Sequence, residues 1–151
     1  MTKSEILKLL DDTQTATLRY FDLKEEELLK NYGEGKWNIR QILHHLTDVE
    51  YMLHSRLKKI IAEPRQVVWA FDPDEWNRAF DYSYASLDGK KQLYLIFRQM
   101  NYELTENYFD GFFQKEFVHN LTGLRTLAME FEKVATHNES HNKQIEIALS
   151  K

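Results

Sequence analysis

The sequence predicts an all-α protein, a four-helix bundle, and three observations predict it. Four stretches carry apolar residues at spacings of three and four, the period that lays one stripe along a helix. Breakers are scarce, with five Gly and two Pro in 151 residues, which favours a few long elements over many short ones. The segments between the four stretches are of moderate length, as connections between packed helices are. Residues 1–151 are expected to form one such bundle domain, since a chain of this length buries a sizeable core by itself.

The first helix is drawn by Ile6, Leu9, Leu10, Thr13, Ala16, Thr17 and Tyr20, with Thr2 and Glu5 spaced as a capping box. Lys24–Lys30 reads as a short helical turn with a solvated charged face. Asn31–Lys36, with two glycines, is the clearest loop. Asn38 then caps a second long helix, whose stripe is Ile39, Ile42, Leu43, Leu46, Val49, Leu53, Leu57 and Ile60. Glu63-Pro64 ends it, because the residue before proline is pushed out of the α region. The text is irregular from Pro64 to Asp81, apart from a short helix at Asp74–Arg78 after Pro73. A third helix is expected from Ser86 to Phe109, packing through Leu87, Leu93, Tyr94, Phe97, Met100, Tyr102, Leu104 and Tyr108. Asp110-Gly111 is expected to break it and Phe112–Val118 to be a short extended piece. Thr122-Gly123 then leads into the last helix, with a stripe from Leu124 through Leu127, Phe131, Val134 and Ile145 to Leu149.

Composition narrows the function classes. With 42% hydrophobic and 29% charged residues the chain reads as folded rather than disordered. A net charge of -4 supplies no basic field for a nucleic-acid backbone. The absence of cysteine excludes a disulfide framework, a thiolate zinc site and a cysteine nucleophile. No apolar run approaches the roughly 20 residues of a membrane span. Met1–Ile6 lacks the basic start and apolar stretch of a signal peptide, so the cytoplasm is the expected location.

Six histidines, at 44, 45, 54, 119, 137 and 141, are the candidate chemistry. His137 and His141, four residues apart on the last helix, point the same way and can close on one divalent metal ion. This is not the HExxH of a zinc protease, because Asn138 and Glu139 follow His137. At about 100° per residue, His45 falls on the flank of the second helix's stripe, where it reaches between helices. His44 falls close to the opposite face and is expected to be exposed. His137 and His141 share one flank of the last stripe, so His45, His137 and His141 form the candidate trio. His54 lies on the other flank of its helix and His119 in a loop, and both read as structural. Asp48, three residues after His45, is a weaker candidate for orienting a ligand or acting as a base, beside a capping or surface role. Trp37 and Trp76 read first as packing or loop anchors and second as pocket walls.

Gly35-Lys36-Trp37-Asn38-Ile39-Arg40-Gln41-Ile42-Leu43-His44-His45-Leu46-Thr47-Asp48 resembles the signature of the DinB/YfiT-like superfamily. His137–Ile145 is similar to its second motif, HxxxH followed by an apolar residue, and Asp72–Trp76 sits where the YfiT-like branch carries an acidic, tryptophan-containing segment. The resemblance implies an unusual four-helix bundle in which His45, His137 and His141 bind one divalent ion, nickel or zinc. It implies a metal-dependent enzyme with an open-faced site, first a thiol-dependent S-transferase acting with a low-molecular-weight thiol such as bacillithiol. A hydrolase using activated water is the alternative, and a non-catalytic dimeric binding protein with a structural metal or none is the rival from another class. The expected partners are a small-molecule substrate and a second copy of the chain, with no nucleic acid and no membrane.

Overall fold

The computed structural model describes residues 1–151. Helix α1 (Lys3–Tyr20) starts at the expected capping box, Thr2 accepting from the Glu5 N–H and Glu5 reaching back to the Thr2 N–H. The short α2 (Glu25–Leu28) follows, then α3 (Ile39–Ala62), capped by Asn38 and stopped at Glu63, whose extended φ of -107° and ψ of 144° obey the proline behind it. Strand β1 (Val67–Val68) and helix α4 (Pro73–Ala79) occupy the irregular segment; Asp72 caps α4 and Pro73 opens it. Helix α5 is Lys90–Phe112, and strands β2 (Glu116–His119) and β3 (Gly123–Thr126) precede α6 (Leu127–Leu149).

Three expectations fail here. The third helix begins four residues later than expected and passes through Asp110-Gly111 without a break. Glycine weakens a helix by only about 1 kcal/mol, and inside the last turn that is not enough to stop it earlier. Leu124 belongs to β3 and is 66% exposed, not the start of the last stripe. The bundle also carries a small sheet, order β1-β2-β3, with β1 parallel and β3 antiparallel to β2. Gly123 closes the β2–β3 turn with a φ of 75°, a conformation that a side chain disfavours.

Helices α1, α3, α5 and α6 form the bundle, in the ring order α1–α5–α3–α6. Side-chain pairs fix their directions. Glu50 meets Arg98 and His54 meets Asn101, so α3 and α5 run parallel; Thr17 meets Asn142, Tyr20 meets Glu146 and Met1 meets Glu132, so α1 and α6 also run parallel. Parallel neighbours cannot be joined by a tight turn. The chain from 63 to 89 therefore crosses back along the bundle, setting α4 against α3 and bringing Phe71 and Pro73 to a cavity shared with α3 and α6 side chains.

The core has two apolar parts. One gathers Leu10, Val49, Leu53, Leu57, Phe109 and Phe131, closed by Val68 and Phe117 from the sheet; the other gathers Ile39, Ile42, Leu43, Leu46, Tyr94 and Ile145. Between them lies a buried polar layer. Arg98, fully buried, donates to Glu50 (2.7 Å), to the Val134 carbonyl (2.8 Å) and to the Leu10 carbonyl (3.2 Å). Glu50 also accepts from Asn101 (2.7 Å) and Asn138 (2.8 Å). That layer joins all four helices at the level of His137.

Candidate metal centre

His45 projects from α3, and His137 and His141 project from α6 on successive turns. The candidate trio is thus one cluster, with one ring nitrogen from each residue within 4.8 Å of the others. His45 Nε2 lies 3.1 Å from His137 Nε2, and the ring centroids are 4.6 to 4.9 Å apart. His141 Nδ1 donates to Gln144 Oε1 at 2.8 Å, which fixes the proton on Nδ1 and leaves the Nε2 lone pair free. Trp37 stacks on His141 (6.2 Å between centroids, 7° between planes) and sets its ring edge-on to His45 at 5.0 Å. Its indole N–H donates to Asp74 of α4 at 2.9 Å, so the crossing segment holds the tryptophan that holds the imidazoles.

Burial dominates the electrostatics. It pushes the His45 imidazole down to about 3, with His141, once protonated, and the Lys133 ammonium adding to the effect. Burial and the neighbouring imidazoles hold His137 well below the ordinary histidine value, and burial lowers His141 against the Gln144 bond. All three rings are neutral near pH 7. This donor set fits a divalent cation: neutral imidazoles offer lone pairs with no proton to displace. Two nitrogens on one tetrahedral ion at zinc–nitrogen distance sit about 3.3 Å apart, close to the His45–His137 separation.

The trio faces a cavity of about 350 Å³. Its wall includes Trp37, Val49, Leu53, Phe71 and Pro73, together with two cations that sequence reasoning passed over, Arg56 and Lys133. A signal for both was available. Residues 45, 49, 53 and 56 follow one face of α3, and 133, 137 and 141 one face of α6. Gln144, three residues past His141, was legible by the same rule.

Other candidates lie elsewhere. His44 is 1% exposed, against expectation: its ring stacks on Tyr82 at 4.3 Å and Nε2 donates to the Ala85 carbonyl at 3.2 Å, both on the crossing segment. His54 is buried against Asn101, its Nδ1 3.1 Å from Oδ1, and keeps its structural reading. His119 is buried at the end of β2, rather than in a loop, and accepts from the Leu121 N–H. Asp48 does not line the cavity; its carboxylate accepts from the Tyr82 hydroxyl at 2.7 Å and lies 3.7 Å from Lys90 Nζ. Trp76 packs on Phe71 at 5.0 Å, outside the wall. No helix is long and apolar enough to cross a membrane.

A crossed-over helical bundle that gathers three neutral imidazoles at a cavity defines a protein class with a metal-type donor set. The family model of the DinB superfamily matches residues 9–145, and the chain belongs to that superfamily. A protein of Oceanobacillus iheyensis named "Putative metal-dependent hydrolase" is 33% identical over 99% of this chain and 88% of its own length. A Bacillus cereus protein of the same descriptive name is 25% identical over 82% of this chain and 71% of its own. The fold matches a solved structure described as "YfiT from Bacillus subtilis is a probable metal-dependent hydrolase with an unusual four-helix bundle topology". The TM-score is 0.86 at 22% identity, over 96% of this chain and 85% of that one.

Proposed function

We propose that this chain is a metal-dependent enzyme acting on a small molecule, with a divalent ion, nickel or zinc, held by His45, His137 and His141. The observation that carries the reading is the convergence of three neutral imidazoles from two helices on one cavity. When bound, such an ion supplies a Lewis acid that lowers the pKa of a thiol or a water. The chain's own side chains do the rest. Burial keeps the imidazoles unprotonated, Gln144 and Trp37 orient them, and Val49, Leu53 and Phe71 give the reacting end a low-polarity wall.

Thiol-dependent S-transfer, with a low-molecular-weight thiol such as bacillithiol, is the reaction this wall favours. No carboxylate lines the cavity, and Asp48 is engaged by Tyr82 and Lys90, so the wall offers water no carboxylate base. A thiol, with an ordinary pKa near 8.5, needs much less help to ionise. Its sulfur would displace a leaving group from an electrophilic carbon while the thiol proton passes to solvent. Hydrolysis is the second reading, favoured by the names of the relatives. A cytoplasmic homodimer is the setting that goes with both.

Elemental analysis of the native protein is the first test: about one divalent ion per chain is expected, and loss of it in His137→Ala. Less than that in the native protein, unchanged by the substitution, leaves a non-catalytic helical binding protein. The loaded protein is then offered an electrophilic dye with a panel of small thiols, beside ester and amide substrates. Conjugation without hydrolysis supports S-transfer, and the reverse result supports the hydrolase.

A further inference from the structure

The cavity has a second end. Along α3 its floor runs His45, Val49, Leu53, Arg56, and along α6 it runs His141, His137, Lys133. The imidazoles therefore sit at one end, Val49 and Leu53 follow along α3 with Lys133 across from them on α6, and the Arg56 guanidinium lies beyond. Lys133 is one turn from His137, and Arg56 lies ~16 Å along α3 from His45 at 1.5 Å per residue.

The charges at that end do not balance. Arg56, Lys133 and Arg125 surround one carboxylate, Glu130, which is 1% exposed. Glu130 lies 3.5 Å from Arg125 Nε and 3.9 Å from Arg56 Nη1, and its Oε2 has no hydrogen-bond partner. Lys133 has no ion pair, and Arg56 spends one of its five donors, to the Trp69 carbonyl at 2.5 Å. Burial pulls the Lys133 ammonium below its ordinary value, and Arg56 and Arg125 add to this against Glu130. An ammonium with no ion pair, beside a buried guanidinium whose one carboxylate is 3.9 Å away and shared with Arg125, is costly unless something anionic joins them.

We propose that Arg56 and Lys133 form an oxyanion subsite, which selects small molecules carrying a carboxylate or phosphate at the end remote from the reacting atom. This rests on reading the cavity as the substrate site. The guanidinium fork and the ammonium supply the charge-assisted donors that such a group accepts, and the apolar stretch between the ends suits a short carbon chain.

Calorimetric titration of the metal-free protein with hexanoate, hexyl phosphate and hexanol isolates the subsite from both metal and reaction. At least one anion is expected to bind about tenfold more tightly than the alcohol, and the tighter of the two identifies the natural group. Lys133→Gln is expected to remove most of that preference while leaving hexanol binding and nickel uptake unchanged. Arg56→Gln tests the other cation, but it leaves Glu130 with one fewer neighbour; Lys133→Gln decides the matter if that variant does not fold. On nickel-loaded protein, 6-mercaptohexanoate should bind more tightly than 6-mercaptohexanol by the same factor. Equal binding of acid, phosphate and alcohol overturns the proposal, as does an anion preference that survives Lys133→Gln. An anion preference in protein that takes up no nickel sinks the metal reading and leaves this subsite standing.

Discussion

His44 and His45 are adjacent and both buried, yet only His45 meets His137. The difference was half legible. Wheel geometry correctly sent the two rings to different faces, but it cannot see that the chain from 63 to 89 covers the second face with Tyr82 and Ala85. The trio itself was legible because helical period alone brings His137 and His141 together, and the resemblance selected the same His45. The two neighbours should therefore fail differently. His45→Ala is expected to abolish nickel uptake, measured by elemental analysis, with the bundle intact. His44→Ala is expected to keep about one equivalent of nickel while losing about 1–3 kcal/mol of stability in urea, from the stacked ring and its bond to Ala85. Similar nickel uptake by both variants would remove His45 from the site.

At the scale of elements, α5 shows why a hydrophobic stripe is an incomplete guide. Its inward face is Tyr94, Arg98, Asn101, Thr105 and Phe109, a good helical period written mostly in polar residues. Reading apolar letters instead selected Leu93 and Tyr108, which are 44% and 42% exposed. Of the sheet only β2 was foreshadowed, by the extended piece expected at Phe112–Val118; β1 has two residues and β3 four, too short for alternation to stand out. Arg98 has to be inside because Glu50 is, and the pair is closed by Asn101, Asn138 and Thr13. Arg98→Met strands a buried carboxylate and should destabilise the protein by about 3–5 kcal/mol, read from urea unfolding. Adding Glu50→Met should recover much of that loss, because no charge then remains unpaired. If the double variant loses as much as the two single ones summed, the layer is not acting as a coupled pair.

For the whole molecule, the crossing connection and the α3–α6 groove make one body in which histidines are buried without their protons. That makes folding sensitive to pH, and the direction follows from the shifts. An unfolded histidine titrates near 6.5. In the folded chain burial takes His45 down to about 3, and it lowers His54 as well, against the Asn101 bond. Well above a pH of about 6.5 these rings are neutral in both states and contribute no pH dependence. As the pH falls below that value the unfolded chain takes up protons that the folded chain refuses. Stability is then lost, at up to ~1.4 kcal/mol per pH unit for each such histidine, until the folded group itself titrates. For His45 that loss runs on toward pH 3. Urea unfolding of the metal-free protein at successive pH values from about 8 to about 5 reads this before most carboxylates titrate. The expected profile is flat above about pH 7 and falls below it, and His45→Asn should make the fall shallower. A profile that stays flat down to about pH 5 would mean that the rings reach solvent and protons in the folded state, and the dry, neutral donor set would have to be given up.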